Sequence, residues 1–173
     1  RGFGVQSRWA YRMVRYVINE HWPYYAYAPL AARFPDEGVI GRRVCELCLR
    51  LANRLQPRKV ALYGLDGDAI SCYIQAGCRR AECAKTGADG VAEADFAVIA
   101  PTDGFGGAFG GMCAAARDGS AAMLLDIRRD KAMRRLWRSV AGETQGVVTF
   151  DLYYCGLVFF DKKRYKQNYI INF

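Results

Sequence analysis

The chain has 173 residues, 52% of them hydrophobic and 13% aromatic, and a formal net charge of +8. This composition excludes a disordered chain, and the length suffices for one domain with a buried core. No apolar run approaches the ~18 residues of a membrane helix and no signal peptide opens the chain, so we expect a cytoplasmic protein with no membrane partner. The positive charge is compatible with nucleic acid as a partner but does not establish one.

The first third of the chain predicts two amphipathic helices. Ser7 can cap a helix whose apolar stripe runs over residues 9–18 and which stops before Pro23. An aromatic linker is expected over residues 24–29, and residues 35–38 mark the boundary before the second helix. The second helix ends before Pro57, and its apolar face consists of Val44, Leu47, Cys48, Leu51, Ala52 and Leu55.

From Arg58 the pattern changes to alternating short strands and helices, which is typical of a parallel sheet. Strands are expected over residues 59–64, 82–85, 95–100 and 121–126, with helices over residues 68–76, 112–117 and 131–140. Residues 147–153 and 156–160 predict an antiparallel hairpin that is rich in β-forming residues, and residues 169–173 an edge strand. The predicted fold class is therefore α/β, with a mostly parallel Rossmann-like sheet that ends in an antiparallel hairpin and with an N-terminal helical extension.

The first of these strands runs into a glycine turn, Gly64-Leu65-Asp66-Gly67, and the turn opens a helix at Asp68. Backbone N–H groups and the positive end of a helix dipole can meet an anionic ligand there. Two interpretations remain open: the turn binds a ligand, or it only connects the strand to the helix. Any strand–helix unit needs a turn, and Asp66 and Asp68 could equally cap the helix.

Three blocks of the sequence carry a family resemblance. They are residues 2–7 with Tyr24-Tyr25-Ala26-Tyr27, residues 51–60, and Leu124-Leu125-Asp126-Ile127 with Met133, Trp137 and residues 151–160. On these blocks the chain resembles bacterial class I S-adenosylmethionine-dependent methyltransferase-like proteins of the Bacteroidetes type. The resemblance covers nearly the whole length and implies an extension over residues 1–56 and a methyltransferase-like domain over residues 57–173.

The resemblance also implies a cofactor and a set of site residues. The cofactor would be S-adenosylmethionine, with Tyr63, Gly64, Asp66, Gly67 and Asp68 as the cofactor-binding residues. Asp126 and Asp103 would be the catalytic residues, which orient or deprotonate a methyl acceptor. The acceptor and the oligomeric state cannot be read from the sequence.

The sequence departs from the family pattern at the cofactor positions. Tyr63 stands where the first strand normally ends in an acid. Lys85 ends the second strand, where a carboxylate normally accepts hydrogen bonds from the ribose hydroxyls. Glu82 before it and Asp89 after it remain alternatives for a displaced carboxylate. Only nine residues lie between Lys85 and Asp95, too few for the ~30 residues of a strand–helix–strand unit. These departures predict a shortened member with degenerate cofactor motifs.

Other motifs favour structural roles over chemistry. The glycine-dense residues 104–111 predict a flexible loop, since no Lys-Ser or Lys-Thr follows to complete a phosphate cradle. Cys45-x-x-Cys48, with Cys78 and Cys83, favours reduced buried thiols over zinc. The single histidine, His21, lies beside a helix end, which favours a structural role over catalysis. The basic residues Arg128, Lys131, Arg134, Arg135 and Arg138, with Lys162-Lys163-Arg164, favour a solvated face over an RNA surface.

The sequence thus leaves three functions to compare. The first is a methyltransferase that transfers a methyl group from S-adenosylmethionine to an unidentified acceptor. The second is a methyltransferase-fold binding or scaffold module without activity, and the third is an RNA-associated protein on the same fold.

Overall fold

The computed structural model describes residues 7–143, 147–161 and 165–173. The described residues group into two compact units. The first contains the chain up to Gln56 together with Gly67–Ala81 and Phe173, and the second contains Pro57–Asp66 and Glu82–Asn172. Residues 2–6 of the first resemblance block and the basic residues 162–164 lie outside the described part of the chain.

The first unit begins with helix α1, Arg8–Met13, which continues as a π-helical turn over Val14–Ile18. The Ser7 hydroxyl accepts a hydrogen bond from Ala10 N at 3.3 Å, which confirms the predicted cap. The apolar stripe is buried as expected, apart from the half-buried Trp9: Ala10, Met13, Val14, Val17 and Ile18 are each at most 3% exposed.

Part of the expected aromatic linker is instead helix α2, Tyr27–Arg33. Pro29 is tolerated because it lies in the first turn, where a backbone N–H has no partner within the helix. Tyr27 and Leu30 pack on the buried cluster of Cys45, Leu49, Ala69 and Tyr73. Packing on a neighbouring element therefore stabilises this helix. Helix propensity alone does not reveal such packing.

Helix α3, Gly38–Leu55, is the predicted second helix, preceded by a 3₁₀ turn over Pro35–Glu37. It ends at Gln56, which adopts a left-handed conformation with φ +51°. Helix α4, Ala69–Gly77, packs on α3 so closely that a Cβ at Gly77 would lie 3.0 Å from the Leu49 carbonyl carbon. The two helices can approach this closely only because position 77 has no side chain.

The second unit is built on one seven-stranded sheet in the order β2-β1-β3-β4-β6-β5-β7. The strands are β1 Lys59–Tyr63, β2 Glu82–Lys85, β3 Phe96–Ile99, β4 Ala121–Leu125, β5 Val147–Asp151, β6 Cys155–Phe160 and β7 Gln167–Ile170.

Strands β2, β1, β3 and β4 are parallel, whereas β6 runs antiparallel between β4 and β5. Strands β3 and β6 are buried at every residue, which explains their nearly continuous apolar sequences. Strand β7 is the last strand in this order and pairs with β5 in parallel. The prediction of an α/β sheet that ends in an antiparallel hairpin is confirmed.

A short segment connects β2 to β3. It contains only helix α5, Ala88–Ala92, and β2 forms one edge of the sheet among the described residues. The Asp95 carboxylate accepts hydrogen bonds from Arg58 N and Lys59 N, both at 3.0 Å, and so ties the start of β3 to the start of β1.

The glycine-dense segment is the clearest correction to the sequence-based expectations. Instead of a flexible loop it forms helix α6, Phe105–Ala115. Glycine in a helix interior costs about 0.5–1 kcal/mol relative to alanine, but Ala108, Phe109 and Met112 are fully or almost fully buried in the core of this unit. Burial of these side chains offsets the unfavourable propensity.

Helix α7, Lys131–Glu143, contributes Trp137 to the same core. A Cβ at Gly156 would lie 2.5 Å from Trp137 Cη2, so the indole ring packs directly on the backbone of β6. The Trp137 indole nitrogen donates to the Asp151 carboxylate at 3.0 Å. Trp137 therefore joins the last helix to the hairpin.

Candidate active site at the carboxyl ends of the parallel strands

The carboxyl ends of the parallel strands form the edge where open α/β sheets bind ligands. In the register of the sheet, Tyr63 of β1 lies beside Ile99 of β3, and Ile99 lies beside Leu124 of β4. The turns that follow these residues carry Gly64, Asp66, Asp103 and Asp126. The predicted catalytic and cofactor-binding residues of the second unit thus share one edge of the sheet.

Tyr63 is already engaged at this edge. Its hydroxyl donates to the Asp103 carbonyl oxygen at 2.6 Å, and its backbone carbonyl accepts from Ala100 N at 2.9 Å. Gly104 has φ +81°, and a Cβ there would lie 2.6 Å from the Tyr63 hydroxyl. The phenol therefore bridges the turn after β1 and the turn after β3.

Gly64 is required by the packing of the turn itself. Its φ is +68°, a left-handed conformation that glycine adopts without steric cost. A Cβ at this position would lie 2.8 Å from Cγ2 of Thr102 and closer still to its hydroxyl oxygen. The Thr102 side chain thus packs directly against Gly64.

Lys85, at the end of β2, places a cation beside the turn after β1. Its Nζ donates to the Asp66 carbonyl oxygen at 2.5 Å, and both residues are exposed. A charged ammonium offers three donors and no acceptor, so it cannot accept hydrogen bonds from ribose hydroxyls. The sequence shows only that an acid is missing here; the contact with Asp66 is visible only in the structure.

Asp126 follows β4 in a left-handed conformation, φ +48°, which aspartate tolerates better than most residues. Its N–H donates to the Tyr154 carbonyl at 2.7 Å, and its carbonyl accepts from Arg129 N at 2.8 Å. The residue is exposed, and its carboxylate has no ion-pair partner among the described residues. Its backbone fixes the turn after β4 to the turn of the hairpin.

Beneath this turn lies the fully buried thiol of Cys155. Burial raises its pKa to about 12, and the nearby carboxylates of Asp126 and Asp151 add to the shift. The thiol therefore stays protonated at neutral pH and is no nucleophile. Asp126 and Asp151 thus both lie close enough to this thiol to act on it electrostatically.

Asp151 is a residue that sequence reasoning did not single out for a site. It is 9% exposed, and its carboxylate accepts from Arg128 at 2.9 Å, Trp137 Nε1 at 3.0 Å and Tyr153 N at 2.9 Å. The Arg128 guanidinium carbon also lies 4.9 Å from the centroid of the Tyr153 ring. Asp151 therefore positions an exposed cation and an exposed aromatic ring. Its sequence signal is an aspartate within the predicted strand over residues 147–153.

The edge does not bring its predicted catalytic residues into contact with each other. Asp66, Asp103 and Asp126 are all exposed, and no hydrogen bond joins any two of them among the residues that the structure describes. They follow three neighbouring strands, β1, β3 and β4. The result is an acidic rim rather than a preformed catalytic pair.

Gly67 and Asp68 belong to the first unit, where Asp68 occupies the N-cap position of α4. The Asp68 carboxylate makes no capping hydrogen bond, although its carbonyl accepts from the Ser71 hydroxyl at 2.7 Å. Asp68 therefore occupies the cap position, but its side chain does not cap the helix. Both residues are exposed.

The other candidate residues are the cysteines, His21 and the basic residues of α7. No disulfide joins any of the seven cysteines, all of which lie in the described part of the chain. Within residues 7–143, 147–161 and 165–173, no group of three or more His, Cys, Asp or Glu side chains could hold a metal ion. His21 is exposed. Arg134, Arg135 and Arg138 of α7 are exposed, as a solvated face requires.

Comparisons with known proteins agree with the geometry. No protein-family description and no curated protein matches the sequence. Among solved structures, the chain is similar to SAH-bound methyltransferase PaMTH1 from Podospora anserina, with 12% identity and a TM-score of 0.57 over 91% of this chain and 97% of that chain. The chain has the class I methyltransferase fold.

Two further structures support this assignment of the fold. The O-methyltransferase TomG from Streptomyces achromogenes, solved with SAM, has 15% identity and a TM-score of 0.53, over 88% of this chain and 95% of that chain. Cofactor-bound Rv0187 from MTB has 14% identity and a TM-score of 0.55, over 80% of this chain and 89% of that chain. Across the described residues, no helix has the length and apolarity needed to cross a bilayer.

Proposed function

We propose that the protein is a methyltransferase that binds S-adenosylmethionine at the carboxyl edge of its parallel strands and transfers the methyl group to an acceptor. The observation that carries the proposal is the coincidence of this edge with the exposed carboxylates of Asp66, Asp103 and Asp126. The structures similar to this chain include a methyltransferase with SAH and an O-methyltransferase with SAM.

The chain's own residues suit the cationic group of the cofactor but not its ribose hydroxyls. The exposed carboxylates of Asp103 and Asp126 have no ion-pair partner among the described residues, and they suit a cationic group. Lys85 does not suit the ribose hydroxyls, because it offers no acceptor. Thr102 packs against Gly64, one of the proposed cofactor-binding residues. The fit is therefore partial.

The chemistry asked of the protein is modest. When bound, S-adenosylmethionine supplies an electrophilic methyl group on a sulfonium. Asp126 and Asp103 would orient the acceptor and take its proton, and the rate would depend mainly on holding the acceptor in place. Tyr63, Gly64 and Asp66 would line the cofactor side, and Gly67 and Asp68 follow them in the chain as proposed cofactor residues.

The experiment that tests this function compares two ligands that differ in charge. Calorimetry with S-adenosylmethionine and S-adenosylhomocysteine should show binding of both. Asp126→Asn and Asp103→Asn should each weaken the sulfonium ligand about two- to five-fold, the range expected of an exposed charge pair, and leave the neutral thioether unchanged. Glu82→Gln is the matched control, since Glu82 is an exposed acid at the opposite end of β2.

The second candidate is a module that keeps the fold and has lost the cofactor. It is favoured by the Tyr63–Asp103 hydrogen bond, the position of Thr102 against Gly64, and Lys85 on the turn after β1. Absence of heat with both ligands at millimolar concentration would remove the first candidate and leave this one.

Three finer points belong to the proposal as well. The Bacteroidetes-type affiliation rests on the resemblance blocks. Residues 1–56 are proposed as an extension added to a methyltransferase-like domain over residues 57–173. A cytoplasmic location is supported by seven cysteines without a disulfide.

A further inference from the structure

A cavity of about 310 Å³ lies entirely within the first unit, and none of the residues proposed to bind S-adenosylmethionine lines it. It is bounded by α1 with its π-helical turn, by the segment before α2, and by the last turns of α3. Its volume is at the lower end of the range of small-molecule sites, about 300–1,000 Å³. The lining residues are Arg12, Tyr16, Val17, Tyr24, Arg50, Asn53 and Arg54.

Arg50 is the buried member of this lining, at 5% exposure. Its Nε donates to the Val17 carbonyl at 2.6 Å, one terminal nitrogen donates to the Ile18 carbonyl at 3.2 Å, and the other to the Tyr27 hydroxyl at 2.8 Å. These two carbonyls lie at the end of the π-helical turn, where a carbonyl has no backbone N–H partner within the helix. The guanidinium is therefore held rigidly by partners that are all uncharged.

A buried positive charge without a paired anion is unfavourable. Among the described residues, no carboxylate lies within ion-pair distance of Arg50. Glu46 lies one turn earlier on α3; burial raises the pKa of its carboxyl, while Arg50 opposes that shift. Glu46 therefore offsets the charge only in part and does not line the cavity.

Arg12 and Arg54 bring two further positive charges to the rim of the cavity, and both are exposed. The lining contains no acidic residue. Guanidinium groups match phosphate oxygens with paired hydrogen bonds. Three arginines around one small cavity therefore select a phosphate group over a neutral ligand.

Two tyrosines lie beside the arginines. Tyr16 is 58% exposed, and Tyr24 is half-buried with its ring centroid 5.3 Å from that of Tyr27. Exposed aromatic rings beside arginines suit the stacking of a nucleobase. We propose that this cavity binds one nucleotide, with its phosphate against Arg12, Arg50 and Arg54 and its base against Tyr16.

The nucleotide could come from a free nucleoside monophosphate or from a single-stranded nucleic acid, and the experiment separates these sources. Calorimetry on the full chain would use adenosine monophosphate, inorganic phosphate, adenosine and a short oligouridine. The double variant Arg12→Gln/Arg54→Gln should weaken the nucleotide at least about tenfold. Both side chains are exposed, so the fold should persist, as far-UV circular dichroism would verify.

Two variants make the test specific. Arg15→Gln removes an exposed arginine from the same helical segment outside the cavity, and it should leave binding unchanged. Tyr16→Leu should weaken adenosine monophosphate while leaving phosphate unaffected. The double variant should keep its affinity for S-adenosylhomocysteine, which separates this proposal from the methyltransferase function.

The outcomes divide clearly. Binding of the free nucleotide, lost in the double variant, supports a site for a small molecule. Binding of the oligonucleotide alone, lost in the same variant, supports a single-stranded source. The proposal is overturned if neither ligand binds at millimolar concentration, or if the double variant and Arg15→Gln bind equally well.

Discussion

Replacing Gly156 by alanine is expected to destabilise the second unit by about 2–4 kcal/mol. The new Cβ would lie 2.5 Å from Cη2 and 2.8 Å from Cε3 of Trp137. The backbone cannot retreat easily, because Gly156 is paired with Leu124 on one side and Asp151 on the other. The indole ring, which is only 7% exposed, must move instead.

The magnitude follows from two costs of that movement. Overpacking a core costs typically about 1–3 kcal/mol. Moving the ring also strains or breaks the 3.0 Å hydrogen bond from the Trp137 indole to the Asp151 carboxylate, and bonds to charged groups contribute about 1.5–3 kcal/mol. The two costs overlap, which gives the range stated. For a chain of this size it corresponds to a fall in Tm of roughly 5–15 °C.

Equilibrium unfolding in urea, followed by far-UV circular dichroism, measures the effect. Gly142→Ala is the matched control, because a Cβ at this exposed helix position meets nothing within 4 Å. The same substitution of Gly156 should cost at least about 1 kcal/mol less in a Trp137→Phe background, since the smaller ring leaves space. Equal costs in the two backgrounds would refute the assignment of this contact.

Three other changes test a thiol, a turn and a buried cation. Raising the pH from about 8.5 towards 12 should lower the free energy of unfolding. The Cys155 thiol has a folded pKa of about 12, so over that range it ionises only in the unfolded chain. The urea midpoint should therefore decline less steeply with pH in Cys155→Ala. Gly64→Ala should cost about 2–4 kcal/mol, since φ is +68° and Thr102 must move, and a Thr102→Ala background that did not recover part of this cost would contradict the contact. Arg50→Met should cost about 2–4 kcal/mol by leaving the Val17 and Ile18 carbonyls without their donor, measured as a lower urea midpoint, with the exposed Arg15→Met as control.

Much of the fold could be read from the sequence, because it is encoded in local patterns. Strand β4 consists of five apolar residues, of which the first four are buried and the last, a leucine, is half-buried. Helix α3 carries its buried residues at helical spacing. The hairpin of β5 and β6 is rich in β-forming residues. Such segments bury the same face whichever neighbour they meet, so the pattern suffices.

Less of the candidate site could be read in this way. The sequence placed Asp103 and Asp126 after strands, and the sheet brings those ends to one edge. It could not show that Thr102 covers Gly64, or that Lys85 lies on the Asp66 carbonyl. These contacts join residues that are far apart in the chain, and no periodicity reports them.

The sequence by itself determined which segments are apolar, how long they are and where glycine and proline interrupt them; this fixed a parallel sheet closed by a hairpin. Tertiary structure decided the rest. Packing made a helix of the glycine-dense segment around Phe109, since burial outweighs the cost of glycine in a helix. It also buried Arg50 against the carbonyls of Val17 and Ile18, because a helix end is satisfied by whatever donor the fold brings to it.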